Sequence, residues 1–177
     1  MTTTAKNYTK GPRKHAIDLI VMHTMESQEK IGTAKRVALW FAGKTAPQAS
    51  AHITVDNKQI VTVVDDKDIA WHAANSDINH RSLGVELAGM ASQTKQEWAD
   101  PFSKAMLDLA AKKVADWCKI YNIPVVKITP AQLKKGAKGI CGHVDVTKAY
   151  NVAGGHTDPG ANFPWEFFIG LVKKYHG

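Results

Sequence analysis

Three residues in this chain are of the types, and stand in the places, that could do chemistry together. His23 closes the apolar run AIDLIVMH, His143 closes GICGH, and Asp158 sits in GHTDPGANFPW. Two imidazoles and one carboxylate are the donor set of an open zinc shell, with a fourth position left for water. Spacing alone does not impose that reading. The interval from His23 to His143 is wide, unlike the close pair of an HExxH helix. Asp158-Pro159-Gly160 also reads simply as a turn, Asp before a proline and glycine after it. A metal site and a polar surface turn both fit these residues.

Glu86 is a second candidate. In SLGVELAG, period-two alternation puts Leu83, Val85 and Leu87 on one face and Gly84, Glu86 and Ala88 on the other. Small neighbours leave room around the carboxylate for acid–base work, although a solvated edge-strand glutamate gives the same pattern. A third candidate is AWHAANSDINHRS, residues 70–82. Trp71 and His72 precede a polar stretch with Asn75 and Arg81, a combination suited to stacking on and hydrogen-bonding a sugar or peptide. An irregular surface loop anchored by Trp71 is the plainer alternative.

These side chains need a rigid frame, and the pattern supplies one. AIDLIVMH predicts a buried strand with His23 at its carboxyl end. Residues 29–43 carry Ile31, Ala34, Val37, Ala38 and Phe41 at helical spacing, with Gly43 as the stop. HITVDNKQIVTVV predicts a hairpin turning at Asp56-Asn57-Lys58. Asp100 and Pro101 open a long helix whose stripe is Phe102, Met106, Ala110, Val114, Trp117, Cys118 and Tyr121. VVKI predicts a strand, TPAQLKKG a short helix capped by Thr129, GICGH a last strand, and PWEFFIGLVKKYH a closing helix with Trp165, Phe168, Leu171, Val172 and Tyr175 on one face. Strands and helices mix without strict alternation. The expectation is α/β: a single domain with a mixed central β-sheet flanked by helices. Residues 1–14, polar and basic, are expected to form a loose arm, with the catalytic domain over 15–177.

At 177 residues, 44% hydrophobic and 22% charged, the chain suits one globular domain with a real core. Its apolar runs are too short for a membrane span, and its start lacks the apolar core of a signal peptide. The net charge of +7 favours polyanions, either nucleic acid or an anionic cell envelope. The lysines are scattered and no zinc-finger or helix-turn-helix spacing accompanies them, which argues against specific nucleic-acid binding. Cys118 and Cys141 form no CxxC pattern, and Cys118 reads as a small core residue.

The ordered series IVMHT, QASAHITVD, IAWHAANS…NHRSLGVELAG, GHVDV and HTDPGANFPW resembles the type 2 N-acetylmuramoyl-L-alanine amidases, the zinc amidase branch related to peptidoglycan recognition proteins, which includes many phage endolysins. The resemblance runs from about His15 to the end of the chain. It implies Zn²⁺ on His23, His143 and Asp158, with Glu86 and His156 catalytic and His52, Trp71, His72, Asn75 and Arg81 lining the substrate groove. It further implies hydrolysis of the amide between the lactyl group of N-acetylmuramic acid and L-alanine in peptidoglycan. Three positions depart from parts of the family pattern. Ala51 stands where some members have Tyr, His156 where Lys or Thr is frequent, and Asp158 where some members use Cys. Cys141 is a neighbour of His143, not a ligand. The expectation is a monomer made in the cytoplasm; the missing secretion signal suits a phage lysin that reaches the wall after holin-type release, and the +7 charge suits anionic wall polymers as further partners. A cytosolic muropeptide-recycling amidase, a different zinc peptidase and a non-catalytic binding module are the alternatives.

Overall fold

A computed structural model describes residues 2–152 and 154–177. The elements are β1 (Tyr8–Thr9), β2 (Leu19–Thr24), α1 (Thr33–Ala42), β3 (Ile53–Val55), β4 (Ile60–Thr62), β5 (Ile69–Ala70), α2 (Ser76–Arg81), β6 (Ser82–Leu87), α3 (Lys95–Trp98), α4 (Pro101–Tyr121), α5 (Pro130–Lys134), β7 (Gly139–Gly142), α6 (His143–Tyr150) and α7 (Trp165–His176). Five strands form the central sheet in the order β4-β3-β6-β2-β7. β3, β6, β2 and β7 run parallel, and β4 is the antiparallel arm of the β3–β4 hairpin. This is the mixed α/β domain that the patterning predicts.

Alternation sorts the two faces. Ile20, Met22, Leu83, Val85, Leu87 and Ile140 point to one side and pack with Met106, Ala110, Val114, Trp117 and Cys118 of α4 and Phe168 and Val172 of α7. Leu19, Val21 and Cys141 point to the other side, under Ile78, Ile128, Leu133 and Val146. The two cysteines therefore lie in different clusters across the sheet, both free and buried. Apolar surroundings push the Cys118 thiol up to about 12, so it behaves as a core group. The long helix begins as its sequence predicts: Asp100 caps it by accepting from Ser103 N, and Asn122 ends it in the left-handed region.

Several expectations are corrected. Residues 2–14 are fastened, not loose. Thr3 N and Ala5 N donate to the Thr62 and Val63 carbonyls, β1 pairs with β5, and Ala5 is buried. The Arg13 guanidinium donates to the carbonyls of Asp66, Asp68, Asn79, His80 and Ser82. A basic composition argued for solvent, but one arginine fork can satisfy several backbone acceptors at once. Helix α1 starts at Thr33, because Gly32 is left-handed at φ 90°, and Ile31 is left exposed. VVKI contributes only a bridge from Lys127 to Ile140.

Candidate metal centre

Parallel strands deliver their carboxyl ends to one edge of a sheet, and the loops beyond that edge form the usual crevice for ligands. His23 lies near the carboxyl end of β2 and pairs in register with Glu86 of β6. His143 is the first residue of α6, directly after β7. The segment bearing Asp158 is tied to that helix start, since Val144 N donates to the Asp158 carbonyl at 2.9 Å. Gly142 is required there by close approach: a Cβ at this position would stand 2.6 Å from Pro159 Cδ. Asp145 completes the corner, accepting from Gly142 N at 2.8 Å and from Lys127 Nζ at 2.8 Å.

The three donors converge. His23 Nδ1 lies 3.0 Å from Asp158 Oδ2, and His143 Nδ1 lies 3.3 Å from Asp158 Oδ1. One ligand atom from each falls within 4.8 Å of the others. A tetrahedral zinc with bonds near 2.0–2.1 Å sets its ligands about 3.3 Å apart, so the donor set and its spacing fit such an ion. All three residues are buried or nearly so. Burial alone would raise the Asp158 pKa, but hydrogen bonds and charge from His143 and His23 hold it well below the usual carboxylate range. His143 is shifted down, chiefly by burial and further by His23, against an upward pull from Asp158. A neutral imidazole beside an ionised carboxylate is the protonation state that metal ligation needs.

Glu86 stands beside this cluster with Oε2 sealed from solvent and without a partner. Its pKa is raised well above the ordinary value, first by burial and then by the negative charges of Asp158 and Glu26. Glu26, which the sequence did not single out, is held by Thr24 Oγ1 at 2.6 Å and Ala91 N at 2.9 Å. His156 stacks on His143 with ring centroids 4.0 Å apart. With its side chain 44% exposed, it can reach a molecule arriving from solvent.

The residues expected to line a groove are placed differently. His52 is fully buried: its Nδ1 accepts from Gly84 N at 2.9 Å, and its Nε2 faces Arg13 Nη2 at 2.8 Å and the Asp68 carbonyl at 3.4 Å. Burial and the nearby Arg13 push its pKa down to about 3, so it is a neutral structural group. His72 is buried against His23 and Ser82. Asn75 caps α2, a helix where the sequence suggested an irregular loop. Arg81 pairs with Asp18 at 2.7 Å, before β2 and β6 begin and so at the opposite end of the sheet from Glu86. Trp71 donates to Thr9 Oγ1 and lines a cavity of about 250 Å³ that none of the three donors borders. Nor do they border a cavity of about 530 Å³ lined by Trp98, Phe163 and Trp165.

The whole is a mixed α/β domain with a metal-capable His–His–Asp cluster and a half-buried acid at the carboxyl ends of its parallel strands. The chain belongs to the N-acetylmuramoyl-L-alanine amidase family (Amidase_2), which matches residues 13–161. Solved structures share the fold. Selenomethionine AmpD superposes with a TM-score of 0.67 at 22% identity, over 97% of this chain and 93% of that one. PlyL gives 0.66 at 16% identity, over 97% and 94%. The Staphylococcus aureus hydrolase AmiA, in complex with its ligand, gives 0.69 at 16% identity, over 99% and 82%. No curated protein matches by sequence. Among the described residues, no helix is long and apolar enough to cross a membrane.

Proposed function

We propose that this chain is a zinc-dependent peptidoglycan amidase that cleaves the bond between the lactyl group of N-acetylmuramic acid and L-alanine. The observation that carries the reading is the meeting of His23, His143 and Asp158 beside the unpartnered Glu86 carboxylate. Zinc held by those three side chains would supply a Lewis acid and acidify a water for amide hydrolysis. Glu86 would take a proton from the attacking water at its carboxylate and pass it to the departing nitrogen. A raised carboxyl pKa suits a group that must both accept and return a proton near neutrality. His156, exposed above His143, would donate a hydrogen bond toward the oxygen that gains charge as the carbonyl is attacked.

Charge supports a bacterial wall as the place of action. At +7, the chain would accumulate on anionic wall polymers through long-range attraction. A bacteriolytic, endolysin-like role follows from that preference, with release to the wall by a holin-type pore. The test is mass spectrometry of products from purified walls, run in parallel with soluble muropeptides. The expected products are intact stem peptides beginning at L-alanine and uncut glycan, formed faster from walls. Cuts within the stem peptide would replace this reading with that of a zinc peptidase, and faster turnover of muropeptides would replace the lytic role with recycling.

A further inference from the structure

His72 was expected in the substrate groove, but its ring is enclosed. It lies over Gly84, so closely that a Cβ on Gly84 would stand 2.7 Å from His72 Cγ. Its Nδ1 is 3.0 Å from His23 Nε2, and its Nε2 is 3.1 Å from Ser82 Oγ. Ser82 Oγ in turn donates to the Ile78 carbonyl at 2.6 Å.

The last link fixes the direction of the others. A carbonyl only accepts, so the single Ser82 hydroxyl proton is spent on Ile78. Ser82 Oγ then faces His72 with a lone pair, and His72 Nε2 must carry the proton between them. Nδ1 of a neutral His72 is therefore bare, and it can accept only from His23 Nε2–H. With one proton held on Nε2, His23 is left to give up the Nδ1 proton it shares with Asp158 when a metal takes that place, and Nδ1 then offers its lone pair beside Asp158 and His143. Its hydrogen-bond partners are an imidazole and a hydroxyl, with no carboxylate among them, so the enclosed His72 ring is neutral. Asp158 lies on the far side of the His23 ring, at Nδ1.

We infer that His72 is a positioning residue which, through the chain His23–His72–Ser82–Ile78, locks His23 in the tautomer and ring orientation that present Nδ1 to zinc. The inference rests on the zinc reading above and adds to it a cause for the preorganisation of one ligand. Metal-bound imidazoles are usually held by an acceptor on their second nitrogen, and losing such a partner typically weakens metal binding about 10–100-fold. In most sites a carboxylate or carbonyl does this; here a second imidazole does it and passes the constraint to a helix carbonyl. The row Ser82, Gly84, Glu86 makes it possible on one face of β6: the serine anchors His72, the glycine makes space for its ring, and the glutamate stands beside the ligand it orients.

The test is zinc affinity of the metal-free full chain, read by competition with a chromophoric chelator. The wild type should bind one zinc; its failure to bind would remove the metal reading itself, not this inference alone. His72→Leu fills the space without an acceptor and should bind zinc about 10–100-fold more weakly. His72→Asn places an amide oxygen near the former Nδ1 and should recover most of that loss. A folded His72→Leu chain binding zinc within about twofold of wild type would overturn the inference, and so would Leu and Asn variants impaired alike, which would point to packing. Should His72→Leu not fold, imidazole ¹⁵N spectra of the zinc-loaded wild type decide. They should show His72 protonated on Nε2 only; a proton on Nδ1 contradicts the chain.

Discussion

Two histidine-bearing regions lie on the same side of the sheet, and they differ in what their polar atoms have left over. Around Arg13 and His52 every group is occupied. The guanidinium serves five backbone carbonyls, and both His52 nitrogens have partners within the fold, Gly84 N at one and Arg13 and the Asp68 carbonyl at the other. Around His23, His143 and Asp158 the donors face one another, and Glu86 Oε2 and His143 Nε2 are buried without partners. Native folds leave few buried polar atoms unsatisfied, and two of them falling on one cluster of donors point to a task there; Asn57 Oδ1, Trp98 Nε1 and Thr147 Oγ1 are left over singly elsewhere. An imidazole is structural where both nitrogens are consumed by the fold, and chemical where one is held free by a partner on the other. His72 is the hinge between the two cases, itself fully spent in aiming His23.

The largest effect should come from breaking the convergent donors. Asp158→Ala is expected to abolish wall hydrolysis while the chain still folds, and a chelator should do the same to wild type, reversibly on adding zinc. Turbidity loss of a wall suspension measures both. Glu86→Gln comes next. It keeps shape but cannot accept a proton, so kcat should fall about 10²–10⁴-fold with zinc content unchanged. Turnover within a few-fold of wild type would return Glu86 to an inert strand residue and make His156 the next base to examine.

The occupied region should answer differently. Arg13→Ala is expected to lower stability by roughly 2–4 kcal/mol in urea unfolding, because it strips backbone carbonyls of their donor. Turnover per folded molecule should stay close to wild type. Arg81→Ala, remote from the donors, should likewise leave turnover unchanged; a large fall in kcat for a folded variant would restore the groove role that the sequence suggested.

The smallest effect sharpens the contrast through pH. The Glu86 pKa is raised in the folded metal-free chain, so its favourable contribution is complete below the ordinary value of 4.5 and is lost as pH rises through the folded value. Glutamine mimics the protonated form. Metal-free Glu86→Gln should therefore match wild type in Tm in acid and exceed it at neutral pH, with the gap opening above about pH 4.5. Equal Tm values across that range would mean that the carboxylate is well solvated.

Much of this was legible in the residues. Apolar runs placed His23 and His143 at strand ends, and the alternation in SLGVELAG put Glu86 on the face opposite Leu83, Val85 and Leu87. Capping chemistry gave the start of α4 at Asp100. What escaped depends on partners distant in sequence. Nothing local to His52 reveals Arg13 or the Gly84 amide, and nothing local to Arg81 reveals Asp18. Segment 70–82 has the composition of a recognition loop, yet its amides and hydroxyl are used internally: Asn75 and Ser82 support α2 and Asn79 Oδ1 accepts from His72 N and Ala73 N. The alternation that exposed Glu86 also contained Ser82 and Gly84, the one local signal for the seat of His72.

Zinc content tests the central claim most directly, compared by elemental analysis between wild type and a His143→Ala chain shown by circular dichroism to be folded. The account predicts one zinc per wild-type chain and essentially none in the variant. Equal zinc in both folded proteins would contradict it, because the metal would then lie elsewhere than among His23, His143 and Asp158.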